Sequence, residues 1–228
     1  CIRDSILGVE DVDVHYGGSR ILRDVTLSIP SASIAAIMGR NGVGKTTLLK
    51  TIMGLLQPSK GQVLFAGEDI TALPADRRAR QGLGYAPQGR EIFPRLTVLE
   101  NLRFHARMFG LNDLDARIEE VSRVLDITSY LNTRVRTLSN GMQKRVSLTR
   151  AFIHHPRLLI LDEPEAGLDQ EALSLVGSLL KDHRSQGGTA IVTTHNVEWG
   201  MSYADRIIIL SKAVSYTHLR AHETDSYL

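Results

Sequence analysis

The sequence predicts an α/β fold, in which a core with a parallel sheet carries an antiparallel β subdomain and a helical subdomain. Strand-sized apolar runs alternate with helical patterns over much of the chain, as in sheets whose parallel strands are joined by helices. Two strand patterns follow each other directly near the start, which favours an antiparallel piece. From about 95 to 140 the pattern is helical throughout, which predicts the helical subdomain.

The first part of the chain is mostly strand-like. Alternating or continuous apolar residues predict strands at 6–16, 19–30, 32–39 and 62–70. A helix is predicted to begin at Gly44 and to stop near the turn at 57–61, which contains Pro and Gly. A polar helix at 73–82, with Pro74 near its start, and a short strand from Leu83 complete this part.

The second part returns to alternating helices and strands after the helical block. Helical spacing predicts helices at 97–110, 114–127, 137–152, 169–186 and 197–204. Apolar runs predict strands at 157–164, 189–195 and 205–211. The run at 205–211 is expected to be the last strand, because no apolar period follows it.

The composition limits the function classes. Of the 228 residues, 43% are hydrophobic and 23% are charged, which is typical of a soluble globular protein. The net charge is +2, so no strong positive field indicates nucleic acid as a partner. No apolar run approaches the length of a membrane span, so a function at a membrane would depend on other subunits.

Residues 39–46, GRNGVGKT, match the P-loop pattern G-x-x-x-x-G-K-[ST] without a mismatch. The match lies between an apolar strand and a helix, which is the context that the motif requires. Its glycines let backbone N–H groups face phosphate oxygens, and the helix N-terminus adds positive potential. We expect Lys45 to reach the β- and γ-phosphates of a nucleotide and the Thr46 hydroxyl to bind Mg²⁺. The core is therefore predicted to be a P-loop NTPase.

Two acids and two polar residues are predicted to complete the chemistry. Asp162 ends a buried strand, where a carboxylate next to a P-loop can hold Mg²⁺ directly or through water. Glu163 follows it and can polarise the attacking water as general base. Gln88 leaves a strand and suits contact with metal or water, and His195 ends another strand within expected reach of the γ-phosphate. Taken alone, each of these two polar residues is more typical of surface or structure.

In this order, the motifs resemble those of the nucleotide-binding subunits of ABC transporters. The segment LSNGMQ matches the ABC signature, usually written LSGGQ, at Leu138, Ser139 and Gly141. The resemblance implies an ABC ATPase fold, in which this segment binds the γ-phosphate of the ATP held by the opposite subunit. Ser139 and the N-terminus of the helix that follows it are suited to that role. Two cassettes are therefore expected to meet head to tail around two ATP molecules.

The resemblance also assigns roles to single residues. Tyr16 is expected to stack on adenine, and Asp169 to belong to the D-loop. The predicted nucleotide-binding residues are Tyr16, Gly39, Asn41, Gly42, Gly44, Lys45, Thr46, Thr47, Ser139 and Gly141. The predicted Mg²⁺ ligands are Thr46, Gln88 and Asp162. The predicted catalytic residues are Lys45, Gln88, Glu163 and His195, the last of which matches the switch histidine.

The resemblance is not uniform along the chain. Asn140 and Met142 replace a Gly and a Gln of the usual signature, and Asn tolerates unusual backbone angles and can cap a helix. Residues 6–102 are similar to cassettes of branched-chain amino acid and urea importers. Residues 103–212 look more like haem-exporter and multidrug-export cassettes.

The chain is expected to consist of one cassette, at 6–212, and two short ends. Its helical subdomain, about 95–140, is expected to receive a coupling helix of the membrane subunits together with the loop of Gln88. The ends, 1–5 and 213–228, resemble translated adapter sequence and are expected to be non-native.

The leading hypothesis is an ATPase subunit that drives an ABC transporter through ATP-dependent dimerisation. The expected partners are a second cassette, identical or paralogous, integral-membrane permease subunits and, for an importer, a periplasmic substrate-binding protein. The expected location is the cytoplasmic face of the inner membrane, and nucleic acid is not expected to be a partner. One alternative is a soluble ABC-type ATPase acting on ribosomes or nucleic acid, although such chains usually carry tandem cassettes or a coiled-coil insertion. A P-loop kinase or GTPase is disfavoured by the signature and by His195.

Overall fold

A computed structural model describes residues 5–89, 91–109, 114–211 and 214–220 of the protein. The strands within these residues are β1 (Ser5–Tyr16), β2 (Ser19–Pro30), β3 (Ile34–Met38), β4 (Lys60–Phe65), β5 (Glu68–Asp69), β6 (Leu83–Ala86), β7 (Leu158–Asp162), β8 (Thr189–Thr193), β9 (Arg206–Ser211) and β10 (Val214–Arg220). The α-helices are α1 (Lys45–Ile52), α2 (Ala75–Arg80), α3 (Val98–Met108), α4 (Leu114–Val124), α5 (Asn140–Phe152), α6 (Gln170–Ser185) and α7 (Val197–Tyr203).

The strands form two sheets, which confirms the predicted fold class. One sheet has the order β10-β9-β3-β8-β7-β6, and its strands are parallel except for β10, which pairs antiparallel with β9. The other sheet is antiparallel and has the order β2-β1-β4-β5. The strand that leads into the P-loop, β3, is an inner strand of the parallel sheet, so the loop is anchored on both sides.

Two hydrophobic cores cover the two faces of the parallel sheet. Successive residues of a strand point to opposite faces, so Ile34 and Ala36 of β3 join one core while Ala35 and Ile37 join the other. The first core contains apolar side chains of α3 to α7, and the second contains those of α1 and the antiparallel sheet. The P-loop helix α1 therefore packs between the two sheets.

Two predicted elements differ from the structure. The strand predicted at 62–70 is a hairpin of β4 and β5, because Ala66 and Gly67 both have positive φ and turn the chain back. The run at 205–211 is not the last strand, because β10 follows it and pairs with β9. An edge strand offers unpaired N–H and C=O groups to the next extended segment, which needs no apolar period to pair with them. The residues at 1–4, 213 and 221–228, within the two predicted non-native ends, lie outside the described residues.

The predicted polar helix α2 contains a fully buried arginine. The guanidinium of Arg78 donates hydrogen bonds to the carbonyls of Thr51 (2.9 Å) and Ile52 (2.8 Å), which end α1. It thereby satisfies carbonyls that the helix leaves without an internal partner. Burial lowers the pKa of Arg78 to about 10, so the side chain stays charged at neutral pH.

The segment from about 95 to 140 contains α3, α4 and two 3₁₀ turns, at Thr128–Tyr130 and Val135–Thr137. Thr97 caps α3 in a capping box with Glu100. A β-bridge between Thr97 and Arg134 joins the start of this segment to its end. The signature helix α5 follows directly and packs into the same core.

Candidate active site

The P-loop runs from Gly39 to the first turn of α1. Gly44 has a φ of 105°, and a Cβ there would lie 2.7 Å from Leu22 Cδ2, so the position requires glycine. Lys45 Nζ donates hydrogen bonds to the carbonyls of Gly39 (2.8 Å) and Arg40 (3.3 Å). Its side chain thus lies under the loop that the motif predicts to hold phosphates.

Lys45 is nearly fully buried, which lowers the pKa of its ammonium group. Three carboxylates, those of Glu163, Asp162 and Glu165, act in the opposite direction and favour its charged form. These acids, all at the end of β7 or just after it, therefore help to keep a buried positive charge where phosphate oxygens are expected.

A cleft of about 630 Å³ opens above the loop. Most of the predicted nucleotide-binding and catalytic residues line it: Tyr16, Asn41, Gly42, Gly44, Lys45, Thr46, Thr47, Gln88, Glu163 and His195. Ile21 lines it too, although no motif in the sequence pointed to this apolar residue. Tyr16 is 54% exposed, so its ring is free to stack on a planar group.

Asp162 lies at the floor of this region and is almost fully buried. Its Oδ1 accepts hydrogen bonds from Thr46 Oγ1 (3.3 Å) and Thr193 Oγ1 (2.7 Å). Its Oδ2 is buried and has no hydrogen-bond partner among the described residues. A carboxylate oxygen left free beside a threonine hydroxyl is the kind of donor set that Mg²⁺ prefers, so the residues fit the predicted metal.

Glu163 is held between two of the predicted residues. Gln88 Nε2 donates a hydrogen bond to Glu163 Oε2 (2.6 Å), and His195 Nε2 contacts Glu163 Oε1 directly. Glu163 has a φ of 47°, an unusual backbone conformation for a residue with a side chain, and such strain is common at functional sites. The tertiary structure therefore brings together three residues that lie far apart in sequence.

Sequence reasoning missed three further residues near Glu163, namely Thr193, Thr194 and Glu165. Thr193 Oγ1 accepts a hydrogen bond from the Glu163 amide (3.0 Å) and donates one to Asp162, so it joins the two acids. Glu165 accepts hydrogen bonds from Thr194 Oγ1 and from the backbone N–H of His195. The only signal in the sequence was the third acid of DEPE, at Glu165, and the threonines of TTH.

Ser139 and Gly141 do not reach the P-loop cleft. They line a separate cleft of about 240 Å³ together with Tyr130, Met142, Arg145 and the segment of Gly167 to Asp169. Ser139 caps α5, because its Oγ accepts a hydrogen bond from the Met142 amide (3.2 Å). Asn140, which the sequence suggested as a cap, is the first residue of the helix and is exposed.

The second cleft joins the signature to the predicted D-loop. Arg145 Nη1 lies 3.3 Å from Asp126 Oδ2, and its Nη2 lies 3.7 Å from Asp169 Oδ1. Asp169 also caps α6 by accepting a hydrogen bond from the Ala172 amide (2.8 Å). A Cβ on Gly141 would lie 3.0 Å from the Gly167 carbonyl, so the two segments approach closely. The segment from Glu163 to Asp169 therefore begins in the P-loop cleft and ends in the cleft that contains Ser139.

Comparison with known proteins assigns the family. The family model for ABC transporters matches residues 22–166, which is more than half of the chain. The chain belongs to the ABC transporter family.

Relatives of this ABC family chain include both import and export proteins. The molybdate/tungstate import ATP-binding protein WtpC of Thermococcus kodakarensis is 36% identical over 90% of the chain. The chain spans 62% of the length of that relative. The lipopolysaccharide export system ATP-binding protein LptB of Haemophilus influenzae is 34% identical over 90% of the chain, and the match spans 87% of the length of LptB.

A solved structure described as the ATP-binding subunit of an ABC transporter has the same fold. It superimposes with a TM-score of 0.85 at 29% identity, covering 93% of this chain and 90% of the other. Within the ranges that the structure describes, no helix of this ABC family chain is both long and apolar enough to cross a membrane.

Proposed function

We propose that this chain binds and hydrolyses ATP as the nucleotide-binding subunit of an ABC transporter. The observation that carries the proposal is the Glu163 carboxylate, which lies in the P-loop cleft between Gln88 and His195. The ATP-binding unit is assigned to 6–212, with the helical subdomain at about 95–140. Its location is the cytoplasmic face of the inner membrane, bound to membrane subunits.

ATP occupies the P-loop cleft with its phosphates on the loop and its adenine on Tyr16. The phosphate-binding residues are Gly39, Asn41, Gly42, Gly44, Lys45, Thr46 and Thr47. Backbone N–H groups and the N-terminus of α1 contribute positive potential, and Lys45 contributes a full charge. Lys45 Nζ now donates to carbonyls of the loop itself, and phosphate oxygens replace or share these acceptors when ATP binds.

Hydrolysis depends mainly on how the side chains position water and charge. Glu163 accepts a proton from the attacking water as general base, and Gln88 holds the carboxylate in place. His195 contacts the same carboxylate. In the proposed complex it also contacts the γ-phosphate, so it joins base and substrate. Lys45 Nζ lies 3.5 Å from His195 Nε2. Its positive charge is therefore close to the γ-phosphate oxygens, on which charge develops in the transition state.

Mg²⁺ is the expected cofactor, held by Thr46, Asp162 and Gln88. When bound, it neutralises charge on the phosphate oxygens. The free Oδ2 of Asp162 supports this assignment, and Thr193 orients the carboxylate through its other oxygen. Chelation by EDTA should therefore stop hydrolysis, and added Mg²⁺ should restore it.

A complete site requires a second cassette, either a copy of this chain or a paralogue. Ser139 and Gly141 line a cleft that, among the described residues, shares no lining residue with the P-loop cleft. The N-terminus of α5 and the Ser139 hydroxyl suit a γ-phosphate presented by the partner. ATP bound between the two subunits favours the closed dimer, because it contacts both.

The membrane subunits are proposed to bind at the helical subdomain near Gln88. Phe93 and Phe104 are about half exposed, and their rings pack edge to face with centroids 5.2 Å apart. Asn101 lies on α3, and its buried side chain accepts a hydrogen bond from the Phe93 N–H and donates one to the Phe93 carbonyl. These two bonds hold the backbone of Phe93 against α3. An exposed aromatic pair on a fixed segment is suited to receive an apolar segment of a partner. An importer would also have a periplasmic substrate-binding protein.

The alternative of an ATPase acting on ribosomes or nucleic acid is not favoured, since the relatives reported above are transport proteins. The test is a pull-down of the tagged chain from detergent-solubilised membranes, with and without ATP and Mg²⁺. Integral-membrane proteins should be recovered with the chain, and fewer should be recovered with a Phe93→Ala, Phe104→Ala double variant. Recovery of ribosomal proteins or nucleic acid in place of membrane proteins would contradict the proposal.

A further inference from the structure

Glu165 binds the segment that carries His195. Its Oε1 accepts hydrogen bonds from Thr194 Oγ1 at 2.6 Å and from the backbone N–H of His195 at 2.9 Å. Its Oε2 is buried and has no hydrogen-bond partner in the described part of the chain. Within the described residues, the side-chain hydrogen bonds of Glu165 are therefore directed at this one segment.

His195 is held by two acids at two different points. Glu163 contacts the imidazole at Nε2, whereas Glu165 binds the backbone N–H of the same residue. The two acids are two positions apart on the segment that leaves β7, so a single stretch of chain fixes both the ring and the backbone. An imidazole anchored at both points has little freedom to leave the base.

The contact extends into the next helix. Thr194 is almost fully buried, and its Oγ1 also accepts a hydrogen bond from the Asn196 amide at 3.0 Å. Asn196 in turn caps α7 by accepting a hydrogen bond from the Trp199 amide. Glu165 therefore sets the path of the chain between β8 and α7, which is the path that aims the His195 side chain.

The turn that contains Glu165 does not depend on its side chain. Backbone hydrogen bonds from the Ala166 amide to the Glu163 carbonyl (3.2 Å) and from the Leu168 amide to the Glu165 carbonyl (3.1 Å) hold the turn. Truncation of the Glu165 side chain therefore leaves these backbone bonds intact. It removes the hydrogen bonds that Thr194 Oγ1 and the His195 N–H donate to Glu165.

We propose that Glu165 is a positioning residue that fixes His195 against Glu163 and the γ-phosphate. The inference rests on the proposed ATP hydrolysis, in which His195 joins base and substrate. The role belongs to the acceptor oxygen, since both contacts are hydrogen bonds donated to Oε1. Small errors in the placement of a group that contacts the substrate can reduce turnover by about 100-fold.

The kinetic test uses Glu165→Ala and Glu165→Gln in the full chain. We expect Glu165→Ala to lower kcat by about 10-fold or more with KM for ATP within about 2-fold, because His195 acts in the chemical step. Glu165→Gln keeps an acceptor oxygen and should stay within about 3-fold of the natural kcat. Equal losses in both variants would overturn the assignment to the acceptor oxygen.

A double-variant cycle separates positioning from general support of the structure. If Glu165 acts through His195, Glu165→Ala should cause no further loss of kcat in a His195→Ala background. Additive losses would overturn the proposal. Glu198→Ala removes an exposed acid from α7 and serves as the control, with activity expected to be unchanged.

A second readout needs no turnover and so remains decisive if the chain proves not to hydrolyse ATP. Amide hydrogen exchange at His195, followed by NMR, should be faster in Glu165→Ala and unchanged in Glu165→Gln, because the amide donates to Glu165. Unchanged exchange in Glu165→Ala would overturn the inference by itself. Absent hydrolysis by the unaltered chain would instead overturn the proposed function.

Discussion

The P-loop cleft and the signature cleft differ in size and in chemistry. The first has a volume of about 630 Å³ and is lined by a lysine, a general-base candidate and a histidine. The buried Asp162 carboxylate contacts Thr46, which also lines this cleft. The second has about 240 Å³ and presents Ser139 at the N-terminus of α5. Among its described lining residues there is no lysine and none of the predicted Mg²⁺ ligands.

Under the proposed function, this difference explains why one chain would carry two incomplete ATP sites. In the proposed reaction, ATP binds in the P-loop cleft, at the N-terminus of α1. Charge on the far side of the γ-phosphate would be stabilised by the N-terminus of α5, which lies in the other cleft. The segment from Glu163 to Asp169 joins the two clefts, and Arg145 joins that segment to the signature helix. Variants on each side should therefore affect binding, turnover and dimerisation in different proportions.

The largest effect is expected at Glu163. Glu163→Gln keeps the size and the contact with Gln88 but removes the base, so kcat should fall by about 1,000-fold or more while ATP binding persists. ATP should then accumulate in a closed dimer, detectable by size-exclusion chromatography. As a control, Glu171→Gln alters an exposed acid on α6 and should keep full activity. Unchanged hydrolysis by Glu163→Gln would contradict the base assignment.

Ser139→Arg tests the second cleft alone. A bulky charged side chain at the cap should block the partner's γ-phosphate, so hydrolysis that depends on the dimer should fall by about 100-fold. ATP binding to the monomer, measured by calorimetry, should stay the same because Ser139 lies outside the P-loop cleft. Asn132→Arg adds the same charge at another exposed position and should be neutral. Loss of monomer binding in Ser139→Arg would mean that the two clefts are not independent.

Tyr16→Ala should affect binding in the first cleft without affecting its chemistry. Loss of stacking on a base typically costs about 1 kcal/mol or more, so the Kd for ATP should rise by about 5- to 10-fold. The kcat at saturating ATP should change little, and Tyr16→Phe should restore the affinity. A change in kcat with unchanged Kd would show that Tyr16 does not contact the base.

Arg145→Met should give the smallest effect, and it tests the link between the clefts. Methionine keeps much of the apolar stem but loses the ion pairs with Asp126 and Asp169. The carboxylates of both acids are largely exposed to solvent, so each pair contributes little. We expect kcat to fall by about 2- to 5-fold with unchanged ATP affinity of the monomer. A loss as large as that of Ser139→Arg would make Arg145 part of the phosphate site.

Much of the fold and of the first cleft could be predicted because both depend on local patterns. The P-loop is a continuous motif whose glycines and lysine act within a single turn, so its position and role follow from eight residues. The alternation of strands and helices predicted the parallel sheet for the same reason. The hairpin at Ala66 and the strand β10 were missed, because positive φ at alanine and pairing to a sheet edge leave no periodic signal.

The sequence by itself determined the P-loop, the acids at the end of β7 and the signature at the start of α5. Only the tertiary structure decided which of these meet. The parallel register brings the ends of β6, β7 and β8 to the same edge, so Gln88, Glu163 and His195 converge although they are far apart in the chain. The same packing sends Ser139 to another cleft and sets Glu165 against the backbone of His195, because contacts between distant segments depend on how the sheet and helices pack.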